Sequence, residues 1–450
     1  MRTLKKALSL VLVLAMVFAL AVPGFAANTT KKASDFKDYS KVTNKEAVDV
    51  LTAIGVINGN ADGTFAPEGN FTRAEAATLI SYLTLGKTVA DALPTSATKF
   101  SDVPATHWAA KYVQYCADAK IVNGVGNGKF DPDAKLTATQ WSLMLLGALG
   151  YNAKNEGIGG EGWEIATTKL AMKAGVASAE DLTATFNRDM AAKLALNALK
   201  ADVVEYATNG TNITIGDTTI STGSSKATSV TVKAETGKNE YAAAISGETL
   251  SATAQDVTVQ LGEKLYNGKL VLAATATDDD FGRSVQVWQY NSKDVSTTTA
   301  TPAFTFTAAT SAKEIAKTLK NYTFNGTKLV DETTAIGTTT AIGDLSFSAT
   351  TDKIATKLAA LVGNGKLVEV YADSAKAVTD VVAVTYTVGR IDSVTTDNKG
   401  NVTYTINGAA KIVYADKENN TDQIEFVGFV PAKGNVVTYV DGTNVRHVYP

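Results

Sequence analysis

Apolar residues in the first part of the chain recur at the spacing of an amphipathic helix. Ala47, Leu51 and Ile54 fall on one face of such a helix. Thr43 lies three residues before Glu46, and this spacing predicts a capping box at the helix start. The pattern therefore predicts helices, each followed by a polar, glycine-containing loop.

From about residue 207 the pattern changes to a two-residue alternation that is rich in Thr, Val, Ala and Gly. Asn-Gly and Asp-Gly pairs separate the alternating segments, which is typical of two-residue hairpin turns. Turns are predicted at 267–268, 407–408 and 441–442, strands at 285–288 and 402–406, and short helices near 312–319 and 352–361. We interpret this part as antiparallel, sandwich-like β domains covering 207–300 and 301–450.

One block of the helical part occurs twice. The ten residues from Asn58 to Pro67 reappear, with substitutions, from Asn123 to Pro132. A third, more divergent copy begins near Trp163 and has a shorter loop. Such self-similarity means that one supersecondary unit is used more than once. We predict helix–loop–helix repeats at 34–85, 98–150 and 157–204.

The first residues are typical of an export signal. A basic start is followed by an apolar run and by Pro23-Gly24-Phe25-Ala26, whose small residues suit cleavage. We predict a signal peptide at 1–26 and a mature protein that begins at Ala27. The alternative is a retained anchor, but the run is shorter than the roughly 20 residues that a spanning helix needs.

Composition excludes several function classes. The net charge of −3 leaves no basic face for nucleic acid. With two histidines and only Cys116, a zinc site of His and Cys ligands is excluded, and we predict no metal and no cofactor.

Cys116 aligns with apolar positions of the other repeats, which predicts a buried thiol. The loop from Asn58 resembles the front of a calcium loop, but Gly69 stands where the bidentate Glu is needed, so a simple turn is preferred.

The second helix of each repeat begins with a distinctive pattern. Thr72 with Glu75, and Thr137 with Gln140, predict capping boxes. Capping does not explain the arginine after Thr72, because a cation in the first turn opposes the helix dipole.

Arg73 and Arg188 occupy the same position in two repeats, although the chain has only six arginines. A guanidinium beside uncapped helix N–H groups makes a site for a carboxylate or phosphate. The alternative is a solvated helix end without a ligand. Trp108 and Trp163 leave two alternatives open, packing or stacking against a sugar ring.

Together these residues resemble the S-layer homology domain family. The family pattern is an opening Phe-x-Asp, a Trp in the first helix, Gly-x-x-x-Gly-x-Phe-x-Pro in the loop, and Thr-Arg-Ala-Glu at the second helix. The first copy has Phe36, Asp38, Gly59, Gly63, Phe65, Pro67 and Thr72 to Glu75, without the Trp. The second has Phe100, Asp102, Trp108, Gly124, Gly128, Phe130 and Pro132, with Ala138 in place of Arg. The third keeps Trp163 and Arg188 and lacks the loop motif.

The resemblance implies a pseudo-threefold helical bundle whose grooves bind secondary cell-wall polymers bearing pyruvylated sugars. The expected polymer-binding residues are Arg73, Arg188, Trp108, Trp163, Asp38, Asp102, Glu75 and Gln140. A pyruvate ketal supplies the carboxylate that an arginine at a helix start would bind. Ala138 removes the arginine from the second repeat, which weakens the case for a groove centred there.

We therefore predict a secreted, non-enzymatic surface protein of S-layer type, held on the wall through this polymer and able to self-assemble. The alternatives are an exported glycan-active enzyme or an adhesin that uses the same anchor. Residues 207–450 contain no Gly-x-Ser-x-Gly elbow and no His-Glu-x-x-His motif. Paired-carboxylate hydrolysis needs only two acids and stays open.

Overall fold

The computed structural model describes residues 31–207, 212–215, 218–221, 226–248, 250–279, 282–363, 365–373, 376–415, 423–426, 431–441 and 445–449. The predicted signal peptide at 1–26 lies outside the described residues. Within them, no helix combines the length and the apolar character needed to cross a membrane.

The first part of the chain is helical, as predicted. Its α-helices are α1 (Lys45–Ala53), α2 (Arg73–Leu85), α3 (Lys87–Asp91), α4 (Ala110–Asp118), α5 (Ala138–Leu149), α6 (Trp163–Lys173), α7 (Ala179–Thr183) and α8 (Arg188–Lys200). Short 3₁₀ turns at Ala33–Asp35 and Tyr39–Lys41 precede them.

The predicted capping boxes of the second helices are confirmed. The Thr72 hydroxyl accepts from the backbone N–H of Glu75, and the Glu75 carboxylate accepts from the backbone N–H of Thr72. Thr137 and Gln140 make the same pair of bonds at the start of α5. These bonds satisfy helix-end donors locally, which is why the sequence alone locates both helix starts.

The capping box predicted at Thr43 is wrong. Helix α1 begins after Asn44, whose side chain makes no capping bond. The backbone N–H of Asn44 donates instead to the buried carboxylate of Asp189 in α8. Glu46 is unavailable for capping because its carboxylate accepts from the Trp288 indole N–H (2.8 Å) and the Thr298 hydroxyl (3.1 Å).

The second part of the chain is mainly β-structure. Its strands are β1 (Val204–Glu205), β2 (Asn212–Ile215), β3 (Thr218–Ser221), β4 (Thr228–Ser229), β5 (Thr231–Ala234), β6 (Gln255–Thr258), β7 (Leu270–Asp278), β8 (Ser284–Tyr290), β9 (Lys293–Thr299), β10 (Phe304–Phe306) and β11 (Thr323–Phe324). The remaining strands are β12 (Thr327–Lys328), β13 (Thr340–Ile342), β14 (Leu345–Phe347), β15 (Lys366–Ala372), β16 (Ala377–Thr385), β17 (Thr387–Thr396), β18 (Val402–Ile406), β19 (Ala409–Val413), β20 (Gln423–Phe426), β21 (Val436–Asp441) and β22 (Val445–Tyr449).

Helices interrupt this β-structure at α9 (Leu261–Tyr266), α10 (Ala312–Thr318) and α11 (Ile354–Leu361), with a 3₁₀ turn at Glu240–Ala243. The two helices predicted near 312–319 and 352–361 are thus confirmed.

Most strand pairs are antiparallel, as predicted. The larger sheets run β7-β8-β9, β10-β15-β16-β11-β12 and β19-β18-β17-β21-β22-β20. The pairs β1-β4, β2-β3, β5-β6 and β13-β14 form two-stranded sheets. The pairs β11-β16 and β20-β22 are parallel, which the two-residue alternation could not reveal.

The predicted hairpin turns have different outcomes. Asn407 and Gly408 join β18 to β19, both with positive φ, as a primed turn requires. A turn is present at 267–268, where the Lys269 N–H donates to the Tyr266 carbonyl at 2.9 Å, but the hairpin predicted there is wrong, because Asn267 caps the end of α9 in the left-handed conformation. Residue 442 of the third predicted turn lies outside the described residues.

The helices and the first β-sheets share one hydrophobic core. The same cluster of buried residues that fills the helical part continues into Ile245, Leu261, Leu270, Trp288 and Tyr290. The Trp288 side chain is fully buried, and its N–H bond to Glu46 ties β8 to α1. Because apolar burial and a partly buried hydrogen bond both cross this boundary, the β7-β8-β9 sheet stabilises the helices.

Candidate functional site

Two loops between paired helices have the same internal architecture. In the first loop (residues 54–72), the carboxylate of Asp38 accepts from the backbone N–H groups of Phe65 and Ala66, each at 2.8 Å. In the second loop (residues 119–137), Asp102 accepts from Phe130 and Asp131, again at 2.8 Å. The two aspartates therefore act as loop organisers.

The glycine of each loop is needed for close packing. A Cβ atom at Gly59 would lie 2.3 Å from the Phe36 ring, and one at Gly124 would lie 2.8 Å from the Phe100 ring. The residues Phe-x-Asp, Gly and Phe of the repeated motif thus form one compact turn, which sequence spacing alone could not explain.

Asp102 is held in its charged form. Desolvation raises its pKa, but the donors from Phe130 and Asp131 outweigh this effect and hold the pKa below its usual value. We expect Asp102→Ala to lower the free energy of unfolding by about 1–2 kcal/mol, because two loop N–H groups lose a charged acceptor. Urea unfolding would measure this, with the exposed Asp133 of the same loop as the matched position. Equal effects of Asp102→Ala and Asp133→Ala would contradict the assignment.

Arg188 lies against the first loop rather than in solvent. Its Nε donates to the Phe65 carbonyl (3.0 Å), its Nη1 donates to Glu75 (2.7 Å), and its guanidinium lies 5.5 Å from the centre of the Phe65 ring. The backbone N–H groups of Arg188 and Asp189 donate to the carbonyls of Gly69 and Pro67, both at 3.0 Å. The start of α8 is thereby joined to the first repeat.

Arg73 makes the equivalent contacts with the second loop. Its Nε donates to the Phe130 carbonyl (2.7 Å), its Nη2 donates to the Asn123 carbonyl (2.8 Å), and the guanidinium lies 4.5 Å from the Phe130 ring centre. Its backbone N–H donates to the Ala134 carbonyl at 3.0 Å. Arg73 therefore joins the first repeat to the second.

These contacts correct two expectations about the arginines. The helix N–H groups beside them are not uncapped, because carbonyls of another repeat accept from them. The arginine side chains are not solvated helix ends either, because each is half-buried on a loop of another repeat. A structural role across repeats was missed, since neither loop partner is near in sequence. What remains available for a ligand is the guanidinium itself.

Ala138 is consistent with arginines that contact a loop of another repeat. The second loop already has Arg73, so the arginine missing at position 138 is not the one that contacts that loop. Ala138 is buried, at 3% exposure. The third repeat has a short loop without the Gly-Phe-Pro motif. The second repeat has thus lost the arginine, and the third repeat has lost the loop motif.

A groove with a volume of about 300 Å³ lies beside the first loop. We call it the first groove. It is lined by Val56, Ile57, Asn58, Gly59, Asn60, Phe65, Phe71, Glu75, Thr78, Leu79, Tyr82, Lys87, Trp108 and Arg188. Of the predicted polymer-binding residues it brings together three, namely Glu75, Trp108 and Arg188.

The other predicted residues lie elsewhere. Asp38 and Asp102 are inside the loops, and Arg73 and Gln140 lie at the second loop and the start of α5. Trp163 begins α6 and is half-buried. Whether any of the eight residues binds a polymer stays a prediction.

Trp108 differs from the other described tryptophans. Its side chain is 57% exposed, whereas Trp141 and Trp288 are fully buried. The His107 ring stacks beside it at 5.7 Å between centroids. An exposed indole in a groove offers an apolar face for a sugar ring, so its geometry favours the stacking alternative over packing.

A polar cluster at the other end of the first groove was not predicted from the sequence. Tyr82 and Tyr112 both donate to Oδ1 of Asp91, at 2.9 and 2.6 Å, and Lys87 pairs with Oδ2 of the same carboxylate. The sequence contains part of the information, because the helical spacing places four groove residues on one face of α2, namely Glu75, Thr78, Leu79 and Tyr82.

Cys116 is confirmed as a buried core residue. It is fully buried, its thiol donates to the Ala77 carbonyl, and burial raises its pKa to about 12. A thiol that stays protonated is a poor nucleophile, which agrees with a packing role for Cys116 in the core.

The S-layer homology domain family model matches residues 35–77 and 99–137. A cell surface protein of Thermoanaerobacter kivui is 34% identical over 151 residues, which are 34% of this chain and 19% of that protein. A surface layer protein of Brevibacillus choshinensis is 28% identical over 219 residues, 48% of this chain and 19% of that protein. An endoglucanase of Bacillus sp. strain KSM-635 is 30% identical over 154 residues, 33% of this chain and 16% of the enzyme.

The matches to these relatives thus span at most about a fifth of their length. These relatives include a cell surface protein and a surface layer protein as well as an endoglucanase. Residues 35–77 and 99–137 are S-layer homology domains, and with the surface-protein relatives they indicate a secreted, cell-wall-associated protein.

Proposed function

We propose that residues 34–204 anchor the protein non-covalently to the cell wall by binding an anionic, pyruvylated secondary cell-wall polymer in the first groove. The observation that carries the proposal is the convergence of Arg188, Glu75 and Trp108 on one groove from three different repeats. A cation, a carboxylate and an indole face together suit an acidic sugar.

Arg188 is the proposed anion contact. Its Nε and Nη1 are used by Phe65 and Glu75, and among the described residues its Nη2 has no partner. The Glu75 bond fixes the orientation of the guanidinium, so little side-chain entropy is lost when a ligand carboxylate binds. Glu75 can also accept from sugar hydroxyls.

The contacts between repeats support a pseudo-threefold arrangement. The third unit contacts the first through Arg188, and the first contacts the second through Arg73. Trp141 of the second unit donates to the Ala191 carbonyl of the third at 3.1 Å. The cycle of units is thus closed, and each groove would be built from more than one unit.

For the whole protein we propose a structural, S-layer-type role. Relatives named as surface layer and cell surface proteins support it. The endoglucanase relative supports the alternative of an enzyme on the same anchor, although its match leaves most of the enzyme uncovered. A hydrolase would release reducing ends from peptidoglycan, and one carboxylate substitution would abolish this activity.

Co-sedimentation of the whole purified protein with cell walls tests the anchoring proposal. We expect binding to walls that carry the secondary polymer and loss of binding after that polymer is chemically removed. Equal binding to both wall preparations would contradict the proposal. The whole protein is required, because its helices share a core with the β7-β8-β9 sheet.

A further inference from the structure

On the basis of the proposed function, we propose that Lys87 and Tyr82 form a second subsite of the first groove, which binds a second anionic group one or more sugars away from the group at Arg188. The bound segment is then an acidic oligosaccharide rather than a single sugar. Lys87 would determine specificity for consecutive charged units.

The length of the groove supports two subsites. Glu75 and Tyr82 lie on the same face of α2 and both line the groove. They are seven residues apart, so they are about 10 Å apart along the helix at about 1.5 Å per residue. Arg188 is bonded to Glu75 at one end, and Lys87 follows α2 at the other. This span exceeds one pyranose ring.

Lys87 is held in position before any ligand arrives. Its ammonium pairs with Asp91 and lies 5.1 Å from the centre of the Tyr82 ring. Tyr82 and Tyr112 fix the Asp91 carboxylate through their hydroxyl groups. Burial lowers the pKa of Lys87, but the bond to Asp91 outweighs this effect and raises it, so the side chain stays cationic.

The ammonium also remains accessible. The Lys87 side chain is 44% exposed, and an ammonium has three donors, which the contacts with Asp91 and with the Tyr82 hydroxyl do not exhaust. Trp108 lines the same groove and supplies an apolar face for a sugar. An anion beside an exposed, fixed ammonium gains a charge-assisted bond at low entropy cost.

The second subsite is specific to the first repeat. Sixty-five residues after Tyr82 and Lys87, the second repeat has Gly147 and Asn152. The equivalent of Thr78 there is Leu143. At these aligned positions the second repeat has neither the cation nor the phenol, which favours the first groove for a longer ligand.

The test compares one-sugar and multi-sugar fragments from partial hydrolysis of the purified secondary polymer, by calorimetry on the whole protein. We expect Lys87→Met to weaken binding of the multi-sugar fragment about tenfold or more and to leave one-sugar binding unchanged. Lys87→Arg should retain multi-sugar binding. Asp91→Asn removes the partner that fixes the ammonium but keeps its charge, so it should lower the melting temperature and weaken multi-sugar binding much less than Lys87→Met does.

Three outcomes would overturn the second subsite. One is an equal loss of affinity for the one-sugar and multi-sugar fragments in the Lys87→Met variant. Another is a loss in Asp91→Asn as large as that in Lys87→Met, which would mean that the pair is only structural. The third is unchanged multi-sugar binding in Lys87→Met. If the parent binds neither fragment, the proposed function itself is wrong, and this result is distinct from the other three.

Discussion

Replacing Arg188 by alanine is expected to weaken wall binding by about one to two decades, because a charge-assisted bond to a carboxylate contributes about 1.5–3 kcal/mol. The same change should lower the free energy of unfolding by about 1–3 kcal/mol. It removes the bond to Phe65, the ion pair with Glu75 and the contact with the Phe65 ring. Co-sedimentation and urea unfolding measure the two effects.

Arg73→Ala is the matched control for Arg188→Ala. Arg73 makes similar contacts with the second loop, but it does not line the first groove. We expect a comparable loss of stability with a much smaller loss of wall binding. The double variant should lose more wall binding than Arg188→Ala only if the second loop also binds polymer, since linked sites act through effective concentration. Equal binding losses in the two single variants would contradict a special role of Arg188, and if the losses also follow the losses of stability, binding reports stability alone.

Trp288→Ala is expected to destabilise the helical part by about 3–5 kcal/mol, although residue 288 lies in a β-strand. The change leaves a cavity in the shared core and removes the indole N–H bond to Glu46. Urea unfolding followed by helical circular dichroism measures it. Trp288→Phe keeps most of the apolar volume and loses the hydrogen bond, so it should cost less, about 1–2 kcal/mol.

An unchanged helical transition in Trp288→Ala would contradict the shared core. We likewise expect a fragment ending near residue 206 to be much less stable than the whole protein, because it exposes the apolar surface of α1 that the β7-β8-β9 sheet covers. Wall binding by the Trp288 variants should fall only in proportion to the unfolded fraction, since Trp288 does not line the first groove.

Features set by local chemistry were predictable from the sequence. The capping boxes at Thr72 and Thr137 depend on residues three positions apart, and the turn at Asn407 depends on one dipeptide. Cys116 was predictable because it aligns with apolar positions of the repeats. In each case the physical cause lies within a few residues of the feature.

Features set by distant partners were not predictable. The capping box at Thr43 fails because Glu46 bonds to Trp288, which is 242 residues away. The turn at 267–268 follows a helix instead of the predicted strand, because Glu263 accepts from the backbone N–H groups of Ile245 and Gln260, which fixes a short helix there. A six-residue helix carries too little periodicity to be recognised alone.

The candidate site shows the same division. Sequence repetition identified Arg73 and Arg188 as unusual, but their loop partners lie 57 and 123 residues away. The pattern therefore could not show that each arginine serves a loop in another repeat. Lys87 and Asp91 were missed because they have no counterpart in the repeated motif. Tyr112 bonds to Asp91, and Asp91 in turn pairs with Lys87, which lines the groove.

Hydrogen exchange of the whole protein with and without purified secondary polymer tests the central claim most directly, because it locates the bound polymer on the chain. We predict slower exchange in residues 56–60 and at Phe65, which line the first groove, and around Trp108, with little change in the β-sheets from β10 onward. Polymer from which the pyruvate has been removed should give no such protection. Protection confined to the β-sheets, or equal protection by the neutral polymer, would contradict the claim that the first groove binds an anionic wall glycan.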